Sequence, residues 1–174
     1  FELQKRVEKI SVICLEKGVS ELPESVHIFS LGKEVGKKRL AHCAAFFRCI
    51  WRQRKEYDAV FVHMNPEYIL LGGILWKLLG KRIYFWYAHP AVTLKLRIAA
   101  AFADTVITSV RSAFPLAHTD VRAVGQGIDT ERFSPEEDEK ERRDLQVLFV
   151  GRLAKVKKLE VFIQAMKNLP ARIG

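Results

Sequence analysis

Apolar positions along the chain fall into two alternating kinds of run. Short continuous apolar or β-branched runs bounded by turn residues predict buried strands over 11–15, 26–31, 58–62, 82–87, 105–109 and 121–124. Another, Val147 to Val150, stops at Gly151. Between these runs the apolar residues recur at helical spacing. Leu40, Cys43, Ala44, Phe47, Ile50 and Trp51 mark a helix over 37–55 with one stripe facing a core. An apolar helix over 68–79 stops at Gly80 and Lys81, and helical segments follow over 93–102 and 112–117. Leu159, Phe162, Ile163 and Met166 set the last helical pattern, and Phe1 to Glu8 reads as the tail of a helix. Strands alternating with helices imply right-handed crossovers and a parallel sheet covered by helices, an α/β, Rossmann-like class. Ligands in such sheets sit at the carboxyl ends of the strands.

The segment Ser134 to Asp144 interrupts this alternation. It holds six acidic and three basic residues with one proline, a composition that does not pack, so it reads as a solvated linker. The expected organisation is a first domain over 1–133, the linker over 134–144 and the start of a second domain over 145–174. At 174 residues the chain is about half of what two such domains need, and it is expected to be a fragment. An apolar fraction of 49% with 28% charged residues is that of a globular protein, and no apolar run approaches the roughly 18 residues of a membrane span. Cys14, Cys43 and Cys49 have no metal or redox spacing, which suits reduced core thiols and a cytoplasmic location.

Net charge of +9 favours anionic partners by long-range attraction. Much of it lies in one place. The helix over 37–55 carries Lys37, Lys38, Arg39, Arg48, Arg52, Arg54 and Lys55 and no acidic residue. Two readings stand side by side: a solvated outer face, or a face laid against anionic lipid, where each cation near the surface contributes about 1 kcal/mol. Nucleic acid is not expected, because the helix has no accompanying aromatic platform and the chain carries no recognised nucleic-acid motif.

Candidate chemistry follows the strand ends. His63, Asn65, Glu67 and His89 each follow a predicted strand, which puts them on the crevice rim; His27, His42 and His118 read as structural or merely exposed. Gly125, Gln126 and Gly127 form a loop after a strand, suited to close approach of a ligand or to a tight turn. Asp129 reads as the N-cap of a single turn whose Phe133 ring would anchor it to the core. After the run ending at Gly151 come Arg152 and Lys157, then a helix N-terminus. Backbone N–H groups, a missing side chain at Gly151 and two cations make an anion site; ordinary loop cations are the other reading.

Two blocks here resemble the linker and first strand of the second domain in family 4 glycosyltransferases, which have the two-domain GT-B fold. They are Gly-Gln-Gly-Ile-Asp-Thr-Glu-Arg-Phe-Ser-Pro from Gly125 and Val-Leu-Phe-Val-Gly-Arg-Leu-Ala-Lys-Val-Lys-Lys-Leu from Val147. Trp86-Tyr87-Ala88-His89-Pro90, the segment Ala103 to Thr108, and Tyr57-Asp58-Ala59-Val60 resemble that family's first domain. The resemblance implies a retaining transfer of a sugar from a nucleotide diphosphate to a lipid-linked or polysaccharide acceptor, at the membrane's inner face in many members. It implies that Arg152 and Lys157 hold the diphosphate, that His89 faces the transferred sugar, and that Gly127 lies in the cleft floor. No metal is expected, because preplaced cations meet the charge of the leaving group. Two positions depart from the pattern: Lys158, where the family usually has glycine, and Val110, where it commonly has serine. A glycine-rich loop and a pair of glutamates eight positions apart are absent from this chain, so the chain by itself is expected to be inactive. A sugar-nucleotide epimerase of the same fold and a catalytically silent binding domain are the alternatives.

Overall fold

A computed structural model of the chain describes residues 3–19, 21–117, 120–134 and 147–167. They form two compact units, residues 1–127 and 128–174. In the first, β1 (Ile10–Cys14) pairs in parallel with β2 (Val26–Ser30), from Ile10 opposite Val26 to Cys14 opposite Ser30. A second parallel sheet has the order β3 (Ala59–His63), β4 (Arg82–Trp86), β5 (Thr105–Thr108), β6 (Val121–Ala123). Helices α1 (Arg39–Gln53), α2 (Pro66–Leu78) and α3 (Leu94–Phe102) fall between the strands. The class is the expected one, parallel strands flanked by helices. The ladders form two sheets rather than one.

Element ends follow local chemistry. Helix α2 starts two residues earlier than the apolar run suggests, because Pro66 occupies its first turn, where no N–H is needed, and the Asn65 side chain caps it by accepting from Glu67 N–H. It ends in a Schellman closure: Lys81 N–H reaches Trp76 O, Gly80 N–H reaches Lys77 O, and Gly80 takes φ +69°. Thr93 caps α3 through its hydroxyl, which accepts from Leu96 N–H. Gly73 of α2 lies against α3, where a Cβ would come to 3.0 Å from the Phe102 ring. The core gathers Ile83 and Phe85 of β4, Ile69 and Trp76 of α2, Leu96 of α3, Val106 of β5 and Phe114, all buried.

Several expectations change. Residues 3–6 form a 3-10 turn rather than the tail of an α-helix, and the 112–117 stretch is a 3-10 turn over Arg111–Ala113. Helix α1 runs over 39–53 rather than 37–55; it buries Ile50 of the expected stripe together with Phe46, while Leu40 is 85% exposed and Trp51 53%, so the buried stripe is shifted toward Phe46. The three cysteines are free and half-buried, and burial pushes the Cys49 thiol up. No helix among the described residues is long and apolar enough to cross a membrane. His118 and residues 135–144 of the expected linker lie outside the described residues.

In the second unit Asp129 caps its turn as expected, accepting from Glu131 N–H and Arg132 N–H at 3.2 and 3.0 Å. Phe133 does not anchor it: the ring is 69% exposed, with the Arg132 guanidinium 5.7 Å above it. Residues 147–150 are not in a strand, because a strand exists only with a neighbour to share its hydrogen bonds and no described residue pairs with them. The Phe149 ring instead meets Phe162 of α4 (Leu159–Lys167) at 5.2 Å.

Candidate functional site

Parallel pairing brings His63, the last residue of β3, opposite Trp86, the last residue of β4. Their rings lie 7° from parallel with centroids 6.1 Å apart. The chain then turns sharply at Met64, which takes φ +57°, a left-handed conformation that side chains adopt rarely and that concentrates at functional sites. Two contacts hold it there. Met64 N–H donates to Trp86 O at 2.8 Å, and Ala88 N–H donates to the Met64 thioether at 3.2 Å. Together with Gln126 and Gly127 these residues line an open depression of about 410 Å³ at the carboxyl ends of the strands, where parallel sheets place their ligands.

The expected rim residues divide. His63 lines the depression. Asn65 is used as the α2 cap, and Glu67 pairs with Lys95 at 2.7 Å, whose hydrogen bond holds the Glu67 carboxyl below its ordinary value. His89 is exposed beside the depression, next to Ala88 of its lining. Its main chain is fixed by a bond from its N–H to Ala113 O at 2.9 Å, and its Nδ1 accepts from Ala91 N–H at 3.1 Å. An accepting Nδ1 carries no proton, so the neutral ring presents N–H at Nε2.

The two outer glycines of the 125–127 loop differ in role. Gly125 takes φ +74° and continues the β5 side by donating to Ser109 O, so its backbone needs glycine. Gly127 has no such conformation, and a Cβ there would meet nothing within 4 Å. It lines the depression, and space is open around it. Val110, where serine was expected by resemblance, works through its backbone: its carbonyl accepts from Ala113 N–H and from the Thr108 hydroxyl. Met64 and Trp86 were not foreseen as lining residues. Nothing in the sequence marks a methionine for a left-handed turn, whereas Trp86 follows once the β3–β4 register is known.

In the second unit Gly151 and Arg152 precede a 3-10 turn, Lys155–Lys157, and then α4. A Cβ on Gly151 would lie 3.5 Å from the Phe149 ring, an ordinary contact. Lys158 joins turn to helix at φ +48°, ψ +46°, and its carbonyl accepts from Val161 and Phe162 N–H. That conformation explains why glycine is the residue expected at 158. Arg152 and Lys157 are exposed, and no described residue hydrogen-bonds or ion-pairs with either side chain.

Parallel strands flanked by helices, with an open depression at their carboxyl ends, make this an α/β, Rossmann-like fold. Among solved structures the chain is similar to HepE of Anabaena in complex with UDP, at 14% identity and a TM-score of 0.63 over 83% of this chain and 44% of that one. It is also similar to MurG of Acinetobacter baumannii, at 18% identity and a TM-score of 0.59 over 98% of this chain and 52% of that one. At such identities the likeness is one of fold, and the chain spans about half the length of these proteins. No family model and no curated protein matches the chain.

Proposed function

We propose that the protein carrying this chain is a retaining glycosyltransferase that moves a sugar from a nucleotide diphosphate donor to a lipid-linked or polysaccharide acceptor. The observation that carries this reading is the arrangement of Arg152 and Lys157 around a single 3-10 turn just before the N-terminus of α4, with neither cation engaged by a described residue. A helix start offers unpaired N–H groups and the positive end of a dipole, so two cations beside it suit a diphosphate. Departure of the nucleotide leaves negative charge on the β-phosphate, and cations fixed in advance lower that barrier without reorganising. The likeness in fold to HepE, which was solved with UDP, supports a nucleotide donor.

In this reading His89, presenting Nε2–H beside the depression, faces the transferred sugar, and Gly127 and Gly151 keep room for substrate. Helix α1 faces an anionic membrane at its cytoplasmic side, where a lipid-linked acceptor would be met. Its exposed Leu40, Phe47 and Trp51 with flanking cations are the pattern of a helix that lies in a lipid interface.

Calorimetric titration of the full-length protein with UDP and with GDP tests the diphosphate site. Loss of more than tenfold in affinity, about 1.4 kcal/mol, is expected for Arg152→Ala and for Lys157→Ala. Unchanged affinity in both variants, or no binding by the parent, overturns the reading.

A further inference from the structure

A second cavity, about 430 Å³, lies between the carboxyl end of β2 and helix α1, away from the depression described above. Its walls include Ser30 and Leu31 on the strand side and Lys37, Arg48 and Arg52 around the helix. Arg48 and Arg52 are one turn apart, so they share a face, and like charges at that spacing repel by a few tenths of a kcal/mol. Nothing offsets this locally. The segment 37–55 has no acidic residue, and neither guanidinium has a hydrogen-bond or ion-pair partner among the described residues. The nearby carboxylate, Glu34, is bonded to the Ser30 hydroxyl at 2.7 Å, and that bond, helped by the charge of Lys37, holds it below its ordinary value.

Lys37 is held in place by the backbone beside the cavity. Gly32 takes φ +91°, and a Cβ on it would come within 2.5 to 3.0 Å of the Lys37 Cδ, Cε and Nζ. The lysine stem therefore lies across the one residue type that leaves space for it. The Gly32 N–H donates to the Ser30 hydroxyl at 2.9 Å, and Lys37 N–H donates to Gly32 O, which closes the loop.

We propose that this groove binds a phosphate-type oxyanion through Lys37, Arg48 and Arg52. Guanidinium forks match the paired oxygens of a phosphate, and a lysine supplies the third donor as a point charge. The phosphate belongs either to a lipid headgroup or to a soluble phosphate ester; the chemistry recognised is the same. None of its residues belongs to the proposed donor site; the headgroup case rests on the membrane face proposed for α1 above, and the soluble-ester case is independent of it.

The test compares two doubly substituted proteins of equal net charge. Arg48→Ala with Arg52→Ala removes the groove cations, and Lys38→Ala with Lys55→Ala removes two cations of the same segment outside it. All four residues are exposed, and thermal unfolding of each variant checks that the fold is kept. Glycerol 3-phosphate is titrated first at physiological salt, then phosphatidylcholine vesicles with and without phosphatidylglycerol. For glycerol 3-phosphate the groove pair is expected to weaken binding at least tenfold and the outer pair less than twofold, and for anionic vesicles the groove pair is expected to lose more than the outer pair. Saturation by glycerol 3-phosphate that vesicles do not displace identifies a soluble ligand; selective loss of vesicle binding alone identifies a headgroup. Equal losses in the two pairs reduce the groove to diffuse charge and overturn the proposal, as does the absence of binding to either probe.

Discussion

Asp104 ties three elements together at one corner of the sheet. Its Oδ2 accepts from Ile83 N–H of β4 at 2.7 Å, its Oδ1 pairs with Lys77 of α2 at 2.6 Å, and its own N–H donates to Ile83 O just before β5 begins. Burial raises the carboxyl, but the Lys77 hydrogen bond, the Ile83 N–H and the charges of Lys77 and Arg82 outweigh it and hold it below its ordinary value. A depressed folded-state pKa contributes stability above the unfolded value, and that contribution is lost as pH falls through the folded one. Both partners of the ion pair are 39% exposed, so the pair itself adds under about 1 kcal/mol. The larger cost of Asp104→Ala is an unpaired Ile83 N–H, about 1 to 3 kcal/mol at pH 7. Urea unfolding should show this loss shrinking as the pH is lowered through the aspartate range, while Asp104→Asn, which keeps an acceptor, loses less. Lys158 presents the opposite case, a side chain its backbone does not favour. Its left-handed conformation costs about 1 to 2 kcal/mol without glycine. Part of that gain on Lys158→Gly is offset by the freer unfolded chain, by up to about 1 kcal/mol. Slower amide exchange at Val161 and Phe162, which donate to the Lys158 carbonyl, is expected for Lys158→Gly and faster exchange for Lys158→Val. Resemblance marked position 158 as unusual, but only the φ angle says why, since a dihedral is not visible in residue order.

Helix α1 is where element-scale reading from sequence succeeded in kind and failed in orientation. Its existence followed from periodicity, yet Phe46 lies beside Phe47, so two overlapping stripes that share Ile50 fit the same spacing. The partner surface decides between them. Phe46 packs against Tyr68 and Trp76 at centroid distances of 5.4 and 5.8 Å, so the stripe through Phe46 and Ile50 turns inward. Leu40, Phe47 and Trp51 are left outside, and Arg54 stacks over Trp51 at 4.5 Å. Phe46→Ala should therefore cost about 3 to 5 kcal/mol in chemical unfolding, a full aromatic cavity. Trp51→Ala should cost less than about 1 kcal/mol, as surface changes do. The reverse order would restore the stripe inferred from spacing alone. The strands were legible for a related reason: in parallel sheets both faces are covered, as β5 illustrates with the successive residues Thr105 and Val106 both buried. Residues 147–150 have the same composition and no strand, because pairing depends on a second segment that composition does not name.

At the scale of the molecule, charge is distributed unevenly. Subtracting the seven cations of 37–55, where no acid occurs, from the net +9 leaves +2 for the rest of the chain. An excess gathered on and beside one helix would act as an oriented field, drawing that region toward an anionic surface before any contact forms. Exposed apolar side chains on the same helix would then add a short-range attraction that salt does not screen. The two contributions separate by ionic strength. Raising salt from about 0.1 to about 1 M shortens the screening length from about 10 to about 3 Å. Binding to phosphatidylcholine vesicles containing phosphatidylglycerol should fall steeply over that range, and little binding should occur to phosphatidylcholine alone. Tryptophan emission reports which face docks. Of the three tryptophans, Trp76 is buried at 3% exposure, Trp86 is half-buried in the depression off α1 and Trp51 is 53% exposed, so a blue shift on adding vesicles is expected to come from Trp51 entering the interface. Trp51→Phe should remove most of the shift while retaining binding, since the ring stays apolar. A shift that survives this substitution would assign docking to another face. Binding indifferent to salt would show that the cations of α1 serve only as a solvated surface.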